Sequence, residues 1–156
     1  MVINIEDKTI LEALDQIIKD PKIMKFLIPL VEEARNEKCF PVTKNVPLSL
    51  FEQKLPKQIN LCRIFILPAN TTSKIERHTN SFQRTVTVVG SGETKILNNN
   101  IWVSNVRTAR GKTIEERWLS VPENTWHQPI SGTEDWITIT FHTALENEII
   151  DEYREI

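Results

Sequence analysis

The sequence predicts an all-β domain, an antiparallel sandwich or barrel, preceded by N-terminal α-helices. Three observations carry this. Apolar residues recur at spacings of three and four through the first third of the chain. From Asn60 onward the chain is rich in Val, Ile, Thr, Trp and Phe, broken at short intervals by Gly, Asn and Pro. Trp136–His142 alternates strictly, with Ile137, Ile139 and Phe141 on one face and Trp136, Thr138, Thr140 and His142 on the other.

Taken in order, Ile10, Leu11, Leu14, Ile17 and Ile18 mark the apolar face of a first helix. Pro21 either ends it or opens the next helix at its first turn. Ile23, Met24, Phe26, Leu27, Leu30 and Val31 mark that second helix, and Pro29 is expected to kink or split it. Both faces are too apolar to stand in water, so the helices must pack on the barrel or on a second subunit. Pro41, Pro47 and Pro56 make 41–58 an extended linker with one helical turn near Leu50 to Lys54. Strands are expected at 61–67, 84–89, 93–97, 101–106, 114–121 and 136–142. The first of these is apolar on both faces and needs cover on both, which the helices would supply. Asn98-Asn99-Asn100 and Gly90-Ser91-Gly92 read as turns between strands. Leu145, Ile149, Ile150 and Tyr153 stand at helical spacing and predict a short C-terminal helix. The expected organisation is one compact domain: residues 1–58 as a helical extension and linker, packed on a barrel of residues 59–156.

Composition narrows the function. The chain has 156 residues, 40% of them apolar and 26% charged, which suits a single globular domain. A net charge of -2, with Lys and Arg scattered, leaves no basic footprint for nucleic acid. No run approaches the roughly 20 apolar residues of a membrane span. Met1 to Asp7 has neither a basic start nor a long apolar stretch, so a cytoplasmic location is the expectation. Cys62 lies in an apolar stretch and reads as a buried small hydrophobe; nothing in the sequence supports a disulfide from it to Cys39.

Two of the three histidines fall at loop–strand borders. One lies in His78-Thr79-Asn80-Ser81-Phe82-Gln83-Arg84, followed by Gly90. The other lies in Pro122-Glu123-Asn124-Thr125-Trp126-His127. Over residues 60 to 142 the chain resembles the cupin superfamily, whose first motif runs His-x-His, then Glu, then Gly, and whose second runs Pro-x-Gly-x-x-His. Asn124 replaces the motif glycine, and Asn tolerates the left-handed turn better than most residues. The resemblance implies an antiparallel jelly roll, a double-stranded β-barrel, with a metal site in its interior.

Carried over by position, His78 and His127 keep ligand identity, Asn80 stands in place of the second His, and Gln83 stands near the place of Glu. An amide is a weaker, uncharged ligand, so the first motif is degenerate. Glu76, two residues before His78, or His142 on the last strand, would restore a third strong ligand. Such a set suits a divalent iron, zinc, nickel or manganese ion; a barrel that has lost its metal is the alternative. Arg84 is expected to meet a substrate carboxylate, or else Glu76 or Glu116. Trp126, with Trp102 and Trp118, would wall a ligand or, as strand aromatics more often do, fill the core. For His142 the plainer reading is a satisfied core or rim residue. The functions implied are a metal-dependent dioxygenase or isomerase acting on a small polar or anionic molecule, or a metal-free module that binds one. The resemblance also implies a homodimer.

Overall fold

The computed structural model describes residues 4–37 and 40–155. Two helices open the chain, α1 (Ile5–Lys19) and α2 (Pro21–Arg35). Asn4 caps α1 by accepting from the Glu6 amide, and Asp20 caps α2 by accepting from the Lys22 amide. Each cap stabilises its helix by about 1 kcal/mol. With Pro21 at the first helical position, Asp20 turns the chain from one helix into the next within a single residue.

Ten strands follow: β1 (Val42–Asn45), β2 (Leu61–Leu67), β3 (Ile75–His78), β4 (Gln83–Val89), β5 (Ser91–Asn98), β6 (Ile101–Thr108), β7 (Trp118–Val121), β8 (His127–Ser131), β9 (Trp136–His142) and β10 (Asp151–Arg154). A 3₁₀ turn spans Leu48–Phe51, and a short helix α3 spans Ile114–Arg117. The strands form two antiparallel five-stranded sheets, ordered β1-β2-β9-β4-β7 and β10-β3-β8-β5-β6. Asn99 and Asn100 both adopt positive φ, 50° and 64°, and make the two-residue turn that the β5–β6 hairpin requires.

The main hydrophobic core lies outside the sandwich. Cys62, Ile64 and Ile66 of β2, Val86 of β4, and Ile137, Ile139 and Phe141 of β9 face the helices. There they meet Ile10, Leu14, Ile17, Ile23, Leu27 and Val31. Between the sheets the buried apolar cluster is small: Ile96, Leu119 and Val121. The helices therefore cover this chain's own sheet.

One buried ion pair fastens α1. Asp15 is 2% exposed and accepts from Trp118 Nε1 at 2.8 Å and from Arg117 Nη2 at 3.1 Å, with Lys19 Nζ at 3.1 Å. Burial alone would raise its carboxyl, but the hydrogen bonds from Arg117, Trp118 and Lys19 outweigh it and hold the group down at about 2.

Several expectations are corrected. Pro29 neither splits nor ends α2, which runs through it. Pro29 and Lys25 lie on the exposed side, where water can serve the unpaired carbonyl, while Leu27 and Val31 hold the helix from the other side. The supposed linker contributes β1, paired with β2 from Val42↔Ile66 to Asn45↔Arg63. The expected strand at 114–121 begins as α3, because Thr113 and Glu116 form a reciprocal capping box. The expected C-terminal helix is a turn at Leu145 followed by β10, which pairs with β3. Cys62 is fully buried, and Cys39 lies outside the described residues.

Replacing Asp15 by Ala strands Arg117 and Trp118 Nε1 in the core and should cost about 3 kcal/mol in urea unfolding. Because the folded carboxyl sits below its unfolded value of 3.8, its stabilisation is present above that pH and is lost as pH falls toward 2. Wild-type stability should fall by roughly 2 kcal/mol more than that of the Ala variant across this window; parallel pH curves would contradict the assignment.

Candidate functional site

Three strands of the second sheet build the site. Glu76 and His78 are two residues apart on β3 and share its inner face. In register, Glu76 pairs with His127 of β8, and His78 pairs with Asp151 of β10. All four line a cavity of about 370 Å³ between the sheets. Ligand atoms of Glu76, His78 and His127 lie within 4.8 Å of one another.

The hydrogen bonds fix which atoms face inward. His127 Nδ1 lies 3.0 Å from the Thr125 carbonyl oxygen, which only accepts, so Nδ1 carries the proton. In the neutral ring Nε2 is then a lone pair, pointing at Glu76 Oε1 from 3.4 Å; in the imidazolium it carries a proton aimed there. His78 Nδ1 likewise donates to Asp151 Oδ1 at 2.7 Å and leaves its Nε2 free. Burial would raise the Glu76 carboxyl, but the hydrogen bond and positive charge that His127 offers when protonated, with the charges of His78 and Arg63, hold it below its ordinary value. Burial, only partly offset by Glu76 and Asp151, lowers His78.

Among the described residues, three buried side-chain atoms have no hydrogen-bond partner: His127 Nε2, Gln83 Oε1 and Arg84 Nη1. Two of these belong to residues lining the cavity. Gln83 is held by its amide nitrogen, which donates to Thr85 Oγ1 at 3.1 Å; Thr85 in turn bonds Thr140 Oγ1 at 3.0 Å. That chain turns Gln83 Oε1 away from any protein donor.

The loop before β8 explains how His127 is placed. Asn124 adopts φ 56°, the left-handed turn expected of it, and its amide donates to the His78 carbonyl at 2.8 Å. The two motif segments are thus tied together by a backbone bond.

The other expected site residues lie elsewhere. β3 ends at His78, so Asn80 sits in the turn beyond it, exposed. Its amide nitrogen donates to the Glu148 carbonyl at 2.7 Å and its oxygen accepts from the Ile150 amide at 2.9 Å. Both ends are used to pin the C-terminal segment. Arg84 points out of the sandwich, and its partner is Asp7 of α1 at 2.7 Å rather than a substrate, Glu76 or Glu116. Trp126 lies on the outer face of the second sheet against Arg77 and Arg154, with Trp102 beside Arg154. Trp118 is in the helix–sheet core. The tryptophan that does line the cavity is Trp136, whose Nε1 donates to Thr87 Oγ1 at 3.0 Å. His142 is buried behind His78, ring to ring at 4.8 Å, with Nδ1 3.1 Å from Ser81 Oγ. Burial first, then His78 and Arg63, keep it well below its ordinary range, so it is neutral.

Arg63, Arg107, Asp151 and Tyr153 also line the cavity and were missed. Asp151 and Tyr153 alternate with Glu152 and Arg154, a strand signal too short to outweigh the helical spacing around it. Arg107 falls one residue beyond the expected bound of its strand.

No protein-family model matches the chain, and no curated protein matches it in sequence. Solved structures do match. CapF, a capsular polysaccharide assembling protein from Staphylococcus aureus, aligns with a TM-score of 0.59 and 14% identity over 78% of this chain and 31% of its own. Lactobacillus farciminis oxalate decarboxylase, in a formate complex, aligns at 0.58 and 12% over 79% of this chain and 34% of its own. A conserved Klebsiella pneumoniae protein with a double-stranded β-helix domain aligns at 0.55 and 14%, over 81% of this chain and 95% of its own. The chain thus spans about a third of the length of the first two. At these identities the likeness is one of architecture, and the architecture is the cupin fold, here with two helices at the N-terminal side.

Proposed function

We propose that this chain binds a divalent transition-metal ion through Glu76, His78 and His127, and acts on a small polar or anionic molecule held in the cavity between its sheets. The observation that carries this reading is the confrontation of two acceptors, His127 buried and Glu76 half-buried. His127 Nε2 has no protein donor, and it faces the Glu76 carboxylate at 3.4 Å. With the imidazole neutral, two acceptors in that position repel unless a metal cation lies with them; a proton on Nε2 would meet the same need. The orphaned Gln83 Oε1 adds a further acceptor in the same cavity.

The donor set fits such an ion. Two imidazoles and a carboxylate suit iron, manganese, nickel or zinc and leave positions open for a ligand. When bound, the ion would supply Lewis acidity, which places oxygenation or isomerisation of a small molecule within reach. The chain's own residues would do the rest. Asp151 and the Thr125 carbonyl hold each imidazole in the Nδ1–H tautomer, so that Nε2 is presented. Thr87, Thr94 and Thr138 offer hydroxyls to a polar ligand, while Phe65, Leu119 and Trp136 narrow the space for water. The fold alone does not choose a reaction, since a polysaccharide-assembling protein and a decarboxylase both share it.

Metal content of the untagged protein, read by mass spectrometry and after reloading with iron, manganese, nickel and zinc, tests the reading. One ion per chain is expected, absent from the His78→Ala/His127→Ala variant and depleted in Glu76→Gln. An excess of metal at about 100 times its Kd should stabilise the wild type by about 2.7 kcal/mol, and a chelator should reverse this. Failure of every ion to bind the wild type would sink the proposal. Asp151→Asn removes the carboxylate that supports His78 and faces Arg63, and should weaken binding by roughly 10- to 100-fold without abolishing it; unchanged affinity would mean that Asp151 plays no part.

A further inference from the structure

Arg107 is the charged cavity residue that the metal reading leaves without a role. It lines the cavity from β6, half-buried. Nε donates to the Trp118 carbonyl at 2.6 Å and Nη1 to the Val106 carbonyl at 2.9 Å. These anchors use two of its five N–H groups and fix the guanidinium, leaving three, both on Nη2 among them. Among the described residues it makes no salt bridge; burial disfavours its charge, and the Glu115 carboxylate favours it from farther off. Arg63, the cavity's other arginine, is engaged: its Nε donates to Asn45 Oδ1 at 3.3 Å, and Nη1 stands 3.8 Å from Asp151 Oδ2.

The ladder places Arg107 relative to the acceptor cluster. Gly92 of β5 pairs with Arg107 on one side and Ser131 on the other; Ile96 pairs with Val103 and with His127. The two levels are four residues apart, roughly 13 Å along the strand. Between the sheets at the Gly92 level the Trp136 ring packs so closely that a Cβ there would stand 2.1 Å from it. Trp136 thus closes the wall beside Arg107. Charge points the same way. The cavity's two guanidiniums balance its two carboxylates, Glu76 and Asp151. A divalent cation would tip that balance positive and favour an anionic guest.

We infer that Arg107 is the anion-recognising residue of this cavity, and that the guest is a small organic acid whose carboxylate seats on its guanidinium while its other end extends toward Glu76, His78 and His127. A fixed guanidinium with several free N–H groups matches the two oxygens of a carboxylate. The inference rests on the proposed reading of the cavity as a small-molecule site; it does not require the metal.

Calorimetric titration of the wild-type chain with glutarate, with neutral glutaramide and with inorganic phosphate tests it, each in excess manganese and again in EDTA. Glutarate should bind and glutaramide should not. Arg107→Gln should weaken glutarate roughly 30-fold. Arg107→Lys should weaken it less, and Arg110→Gln, on the exposed surface nearby, not at all. Should the Gln variant fail to fold, the Arg107 Nε–H resonance of the wild type must still shift on adding glutarate. Absence of glutarate binding in both conditions, equal binding by a folded Arg107→Gln, or binding of phosphate alone would overturn the inference. Arg107-dependent glutarate binding in a protein that takes up no metal would sink the metal reading and leave this one standing. Metal uptake with glutarate binding indifferent to Arg107 would do the reverse.

Discussion

The structure depends on one inversion: the sheet β1-β2-β9-β4-β7 turns its apolar face outward, to the helices, and its polar face inward. Ile137, Ile139 and Phe141 meet α1 and α2, whereas Thr138 and Thr140 on the same strand line the cavity. Apolar burial is therefore concentrated between helices and sheet, where close packing supplies most of the stability. The space between the sheets is released from that duty and can stay open and polar. Without α1 and α2, the face carrying Cys62, Ile64 and Ile66 would lie in water.

The same inversion explains where the arginines go. Arg84 and Gln83 are neighbours on β4 and must point to opposite faces. Gln83 enters the cavity; Arg84 meets Asp7 of α1. Arg117 is likewise spent on Asp15. Both outward arginines hold the helices down, and the arginines that line the cavity, Arg63 and Arg107, come from strands of the inner faces.

Much of the fold was legible because its signals are local. The alternation of Trp136–His142 sorted both faces correctly, the positive φ of Asn124 follows from its short polar side chain, and the asparagine turn closes the β5–β6 hairpin as expected. What was not legible is long-range. β3 and β10 are four residues each and gain their definition only from pairing with each other and with β8. Leu145, Ile149 and Ile150 have helical spacing, yet the tail pairs as a strand because β3 offers it an edge. The site shows the same division. His78 and His127 were visible from their motifs, but the end of β3 at His78 decides that Glu76, and not Asn80, shares its face. Motif spacing counts residues, while which side chains share a face depends on where a strand stops.

That short β3 also makes the site a cooperative one. His78 takes its tautomer from Asp151 on β10, and β10 follows a turn pinned by Asn80, the residue just past β3. His127 takes its tautomer from the Thr125 carbonyl, in a loop whose Asn124 amide is bonded to the His78 carbonyl. Each imidazole is thus oriented by a segment that is itself anchored at, or just beyond, the His78 end of β3. The acceptors cannot relax apart one at a time. Lone pairs that face each other away from water cost free energy in the folded state, and a fold that holds them in place keeps that cost unless a proton or, on the reading proposed above, a metal ion lies between them.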